Sequence, residues 1–321
     1  MALPNSSYAE IVSTTIDAYS DQLYDNILNH NPLLKRMQRK GNSSSIPGGV
    51  KILENLEYGE NGTIKWYSGL ETLDVSASDV FTSAEYEWKE LNANVVITGL
   101  EKAQNSGAAA KHNLVKAKIR NAEKSLKNEM AAALFYANTE NDGKSIGGLQ
   151  HLVSGTPATG TVGGVDASAQ SWWRNQVYDF SDEAVTASAT TIQAAMNDVY
   201  INTMRGADMV DMIVADKTYF NFYLTSLQSN QRFMEDGEAG AGFRSLKFWG
   251  GAADVFFDAN VPASSMYFLN TDYIYLRPHS DFNFVTLPET RSINQDATVV
   301  PMFWKGNMTV SNRNLQGIVQ A

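Results

Sequence analysis

The chain has 321 residues, 43% hydrophobic and 19% charged, which is enough to bury a substantial core and far from a disordered composition. A net charge of −10 argues against holding nucleic acid over the whole surface, and the lack of cysteine excludes disulfides and thiolate metal sites. No basic, apolar leader opens the chain and no apolar run is long enough for a bilayer, so folding in a cytoplasm without a membrane span is expected.

Ile16, Tyr19, Leu23 and Ile27 recur at helical spacing, extended backwards by Tyr8 and Ile11, until Asn31-Pro32 breaks the stripe. Leu33, Leu34 and Met37 form a second short stripe beside Lys35, Arg36, Arg39 and Lys40. The pattern predicts a partly detached amphipathic arm whose apolar face packs on its own core or on a neighbouring copy. A Gly- and Ser-rich hinge follows at 41–50.

From about 50 to 98 the pattern turns to strands: Val50–Glu54, Gly62–Tyr67, and the alternation Glu85-Tyr86-Glu87-Trp88-Lys89, with Asn61-Gly62 as a hairpin turn. Nine carboxylates here (Glu54, Glu57, Glu60, Glu71, Asp74, Asp79, Glu85, Glu87, Glu90) face only Lys51, Lys65 and Lys89. A long polar hairpin of this kind does not suit a core. It reads as an excursion that packs on something else.

The spacing of Val115, Ile119, Ala122, Leu126, Met130, Ala133 and Ala137 predicts one long helix over 107–138, roughly 45 Å at the α-helical rise. Its first half is basic, with Lys111, Lys116, Lys118, Arg120, Lys124 and Lys127. That half is either a solvated face or one turned toward an acidic partner or a packaged polyanion. Beyond Asn141-Asp142-Gly143, helical spacing resumes at about 186–204. A strand is expected at Met209–Ala215 and an aromatic helix at Thr218–Leu227. Further strands are expected at Ala253–Phe257, Ser265–Leu269, Tyr273–Leu276, Phe282–Val285, Val299–Trp304 and, last, Met308–Ser311.

Catalytic and metal motifs are sparse. Gly143-Lys144-Ser145 resembles the end of a phosphate-binding loop, but Asn138 stands where the first glycine belongs and a helix, not a strand, precedes it. His30, His112, His151 and His279 show no ligand spacing. No Gly-x-Ser-x-Gly elbow occurs. Asp208, Asp211 and Asp216 flank an apolar strand and read as strand-end and cap residues rather than metal ligands. Gly237–Gly242 reads as a surface loop. No catalytic residue, cofactor or metal site is expected.

The order of elements (arm, acidic hairpin, very long helix, mixed region, closing strand) resembles the major capsid proteins of tailed phages, the Hong Kong 97 fold. Local stretches carry the same resemblance: Ile146-Gly147-Gly148-Leu149, Trp172-Trp173-Arg174-Asn175, and the ending from Gly306 to Ile318. The resemblance implies an α+β fold. Residues 1–46 would be an N-terminal arm, 47–95 an extended β-hairpin loop, and 96–180 with 290–321 a peripheral domain carrying the long spine helix. Residues 181–289 would be an axial mixed α/β domain.

It further implies a virion protein, assembled in a bacterial cytoplasm into hexamers and pentamers of an icosahedral shell enclosing double-stranded DNA. A separate scaffolding protein, a portal protein and a decoration protein are the implied partners, with non-specific contact to DNA. Tyr19, Leu23, Arg36, Arg39, Glu60, Trp66 and Glu71 are the expected inter-subunit contacts, and Lys116, Lys118 and Lys124 an inner basic face. Two other readings stand beside it: an encapsulin-like nanocompartment shell, and a carbohydrate-active hydrolase drawing on the many acidic and aromatic residues.

Overall fold

The structure, a computed structural model, describes residues 31–104, 108–228, 246–288, 290–291 and 295–321. Tyr19, Leu23, the Gly237–Gly242 segment and the side chain of Lys116 lie outside the described residues.

The first helix among the described residues, α1 (Pro32–Arg39), starts where the sequence expects a break. Asn31 caps it: its Oδ1 accepts from the amides of Leu33 and Leu34, and its Nδ2 donates to Asp258 Oδ2 at 2.6 Å. Leu33, Leu34 and Met37 are buried. Arg36 Nη2 donates to the Asp211 carbonyl at 2.9 Å and to Asp254 at 3.0 Å, and Lys40 pairs with Asp211 and Asp272 at 2.9 and 2.8 Å. This part of the expected detached arm is therefore fastened to its own chain. The carboxylate of Asp211, expected to cap a strand, also accepts from the Thr271 amide and hydroxyl.

Strands β1 (Ile52–Glu57) and β2 (Phe81–Tyr86) form a two-stranded antiparallel stem. The backbone then enters β3 (Lys89–Thr98), which pairs along its whole length with β14 (Ala297–Val310). Thr98 and Glu101 close a capping box that opens α2 (Gly99–Gln104): the Glu101 amide donates to Thr98 Oγ1 and the Thr98 amide to Glu101 Oε2. Strands β11 (Ile274–Pro278), β12 (Val285–Thr286) and β13 (Thr290–Arg291) pair with the opposite edge of β14.

The sequence reads two strands where β14 is one. It ends one strand at Trp304 and begins the next at Met308, but the chain between them stays in the strand and Gly306 is there for space. A Cβ at Gly306 would lie 2.6 Å from the Arg277 carbonyl and 2.8 Å from the Trp304 ring.

The long helix is α3 (Ala108–Ala133), about 39 Å at the α-helical rise. Ile119, Leu126, Met130 and Ala133 of its expected stripe are buried. It ends earlier than the stripe implies, because the chain tightens into turns at Phe135 and Tyr136 and Asn138 takes a positive φ of 65°. Gly148 then crosses the helix end. Its Cβ would sit 2.5 Å from the carbonyls of Ala133 and Leu134, a contact only glycine permits.

After the short hairpin β4 (Thr161–Val162) and β5 (Val165–Asp166), a six-stranded sheet has the order β6 (Gln176–Asp179), β15 (Gly317–Gln320), β10 (Ser265–Leu269), β7 (Met212–Ala215), β9 (Ala253–Phe257) and β8 (Leu246–Phe248). Helices α4 (Ile192–Thr203) and α5 (Lys217–Gln228) cover one face. Alternate residues serve two cores. Ile213, Met266, Phe268 and Val319 join the helices, whereas Met212, Val214, Tyr267, Leu269 and Ile318 join the core under α3 and β14. The final strand is thus β15, in this sheet, and not the expected Met308–Ser311.

Candidate subunit interface

Strand β1 alternates strictly, with Ile52, Glu54 and Leu56 turned inward. Burying Glu54 among apolar residues is costly unless its carboxylate is paired. Arg277 supplies the pair in bidentate form, Nε and Nη2 donating to Glu54 at 2.7 and 3.1 Å, and the Thr309 hydroxyl donates to the same carboxylate at 2.8 Å. Arg277 also donates to Ser44 and lies 4.2 Å from the Tyr275 ring centroid. On the other strand the Tyr86 hydroxyl donates to the Val310 carbonyl at 2.9 Å; burial raises the pKa of this phenol, so it serves as a structural donor. Trp88 Nε1 donates to the Gly49 carbonyl at 2.9 Å, and its ring meets His279. The root of the excursion is therefore a fixed mount.

Beyond the stem the character reverses. The Tyr58 amide bonds the Val80 carbonyl and closes the stem, and Tyr58 stacks on Trp172 at 5.4 Å. Between Tyr58 and Val80, residues 59–79 form no strand. The expected strand Gly62–Tyr67 is absent, because among the described residues no neighbouring backbone offers it a ladder. Asn61 does make a turn, with the Ile64 amide bonding its carbonyl and its side chain accepting from Thr63.

Ile64 is 80% exposed, Trp66 101%, Leu70 103% and Val75 92%. Among the described residues, ten of the seventeen exposed large hydrophobic side chains fall between Val50 and Phe81. An apolar surface of this extent on a thin acidic projection marks a contact site rather than a solvated loop.

The other expected contact residues divide. Glu60 and Glu71 are exposed on the excursion beside Trp66. Arg39 is exposed on α1, whereas Arg36 is held by Asp211 and Asp254. On α3, Lys124 is exposed but Lys118 is engaged within the chain, donating to the Val96 carbonyl at 2.7 Å and to Glu101 at 2.8 Å. That hydrogen bond is the main reason the Glu101 carboxyl lies below its ordinary pKa.

Sequence reasoning missed the anchor of the body. Arg313 is fully buried and, among the described residues, forms no salt bridge with a carboxylate. It donates to the carbonyls of Leu152 and Trp173 at 2.7 and 3.1 Å and to Asn175 Oδ1 at 3.0 Å, and burial brings its pKa down to about 10. Two stretches far apart in sequence, Trp172–Asn175 and Asn312–Asn314, meet here. Their polar residues were the available signal. Among the described residues no cluster of metal-ligating side chains occurs, and no helix is long and apolar enough to cross a membrane.

The family model described as SU10 major capsid protein matches residues 91–300. No curated protein matches the chain. Among solved structures, the chain is similar to one in the capsid asymmetric unit of cyanophage A-1(L). That match has a TM-score of 0.64 at 14% identity over 87% of this chain and 90% of that one. It is similar also to a capsid chain of the native GTA particle, with a TM-score of 0.61 at 12% identity over 88% and 89%. A third likeness is to the holo-SrpI encapsulin complex of Synechococcus elongatus PCC 7942, with a TM-score of 0.54 at 7% identity over 90% and 87%. At such identities the likeness is one of fold, the Hong Kong 97-type arrangement of helix and sheet that the sequence resemblance implies.

Proposed function

The chain belongs to the SU10 major capsid protein family, and from that premise we propose that it self-assembles into hexamers and pentamers of an icosahedral shell around double-stranded DNA. As a family member it is a structural protein of the virion, which sets aside the hydrolase reading. The observation that carries the assembly proposal is the excursion at residues 59–79: acidic, apolar and exposed, yet mounted on a buried root. A projection built this way is completed by another copy. Each subunit then takes part in several contacts, so individually weak contacts become strong together.

In this reading α3 is the spine of the peripheral domain, which takes in residues 96–180 and the closing strands from about 290. The sheet with α4 and α5 is the axial domain at 181–289, joined by β6 and β15. Residues 1–46 are the arm, and 47–95 the extended loop. Exposed Arg120 and Lys124, with Lys116, are candidates for the inner basic face. A separate scaffolding protein, a portal and a decoration protein complete the particle, formed in a bacterial cytoplasm.

Negative-stain microscopy of the expressed protein tests the proposal, with closed particles of uniform size as the expected result and a dispersed monomer as the contrary one. The encapsulin likeness supports a second reading, a shell around protein cargo. Nucleic acid extracted from particles made during infection decides for the first, and a co-purifying enclosed enzyme for the second.

A further inference from the structure

Two halves of one missing structure lie in this chain. The first is a strand without a sheet. Gly62-Thr63-Ile64-Lys65-Trp66-Tyr67 has the composition and alternation of a strand, with Ile64 and Trp66 on one face, yet among the described residues it has no ladder and both side chains are exposed. The second is a sheet edge without a strand. β3 pairs with β14 on one side, in unbroken register from Lys89 to Thr98.

On the other side of β3, the Thr98 amide is taken by Glu101 and the Val96 carbonyl by Lys118. Backbone groups of alternate residues point to the same edge, so those of Asn94, Asn92 and Glu90 face outward as well. Among the described residues no hydrogen bond reaches them. The side chains of α2 and α3 thus cap one end of the edge and leave 90–94 open. An uncapped edge is a template for another strand.

Beside this open edge lies a groove of about 380 Å³, walled by Leu91 and Asn92 of β3 and by Met130 and Ala133 of α3. Trp304 also lines it, with an indole N–H that is buried and has no hydrogen-bond partner. Lys144, exposed, sits at the groove too, with Glu129 and with Glu90, which is paired to Lys305 at 2.7 Å; the segment 62–67 is flanked by Glu60 and Glu71.

We propose that residues 62–67 of one copy add as a strand to the β3 edge of a second copy at residues 90–94, seating Trp66 in the groove between β3 and α3. This rests on the reading of the excursion as an inter-subunit element and names its acceptor. Main-chain bonds supply the register. The indole fills the groove, and Lys144 meets the acidic flanks of the incoming strand.

The chain contains no cysteine, so introduced pairs report without background. The test places Lys65→Cys together with a single cysteine at each position from 89 to 95 in turn and oxidises assembled particles. Covalent ladders on a non-reducing gel are expected, with yields rising and falling at every second position along 89–95. Asn92→Pro supplies a second measurement. It deletes an outward N–H that the subunit's own sheet does not use, so the unfolding transition should hold while each contact weakens about fivefold, one main-chain bond. Particles that form with no ladder or a flat one, and that tolerate Asn92→Pro, would overturn the acceptor assignment alone. Parent protein that forms no particles would overturn the underlying reading with it.

Discussion

The molecule handles its tryptophans in two ways. Trp173 and Trp304 are 1% exposed, Trp173 beneath Arg313 and Trp304 beside Phe284, whereas Trp66 stands fully exposed on the projection of residues 59–79. The body buries its large apolar side chains. Its six-stranded sheet is buried on both faces, and Arg313, the one fully buried cation among the described residues, finds three acceptors within the chain. The projection leaves its apolar residues in water although a fixed mount holds it. Surface that costs free energy in the isolated subunit becomes useful only when a partner covers it.

The largest expected effect separates the two regions outright. Replacing residues 59–79 by a short Gly-Ser turn should leave the denaturation midpoint of the subunit unchanged and abolish particles, as read by sedimentation. Arg313→Ala should do the opposite, lowering stability by about 4 kcal/mol in chemical denaturation, because it leaves buried carbonyls and Asn175 without their donor.

Glu54→Gln lies at the junction. It removes the charge that Arg277 and Thr309 hold and should cost about 2 kcal/mol, with faster hydrogen exchange in β1 and β2. The smallest effect is one of pH. Burial, then the charges of Arg313 and Lys89, holds the His151 pKa below the ordinary imidazole value. The unfolded chain therefore takes up that proton more readily, so this site costs no stability above about pH 6.5 and weakens the fold progressively below it. His151→Gln should flatten that part of the stability-against-pH curve while leaving neutral-pH stability nearly unchanged.

Much of this division was legible in the sequence. The periodicity of α3 and the strands at Ala253–Phe257 and Ser265–Leu269 were readable because apolar spacing alone specifies them. The acidic excursion was readable because its carboxylates had no counterpart. The misses share a cause, the dependence of strands on distant partners. Gly317–Gln320 is four residues long and becomes a strand only by lying between β10 and β6, whereas Gly62–Tyr67 has strand composition and no ladder. Arg36 looked like a surface charge because the carboxylates that hold it, Asp211 and Asp254, lie far along the chain. The Glu54–Arg277 mount and the Arg313 anchor likewise join residues more than a hundred positions apart, a relation that no local pattern contains.

Hydroxyl-radical footprinting of Trp66 in the free subunit and in the particle asks most simply whether another copy covers the projection. Strong modification of the subunit and deep protection in the particle is the expected pair. Equal reactivity of Trp66 in both states would show that the projection stays bare after assembly and would contradict its role as the joining element.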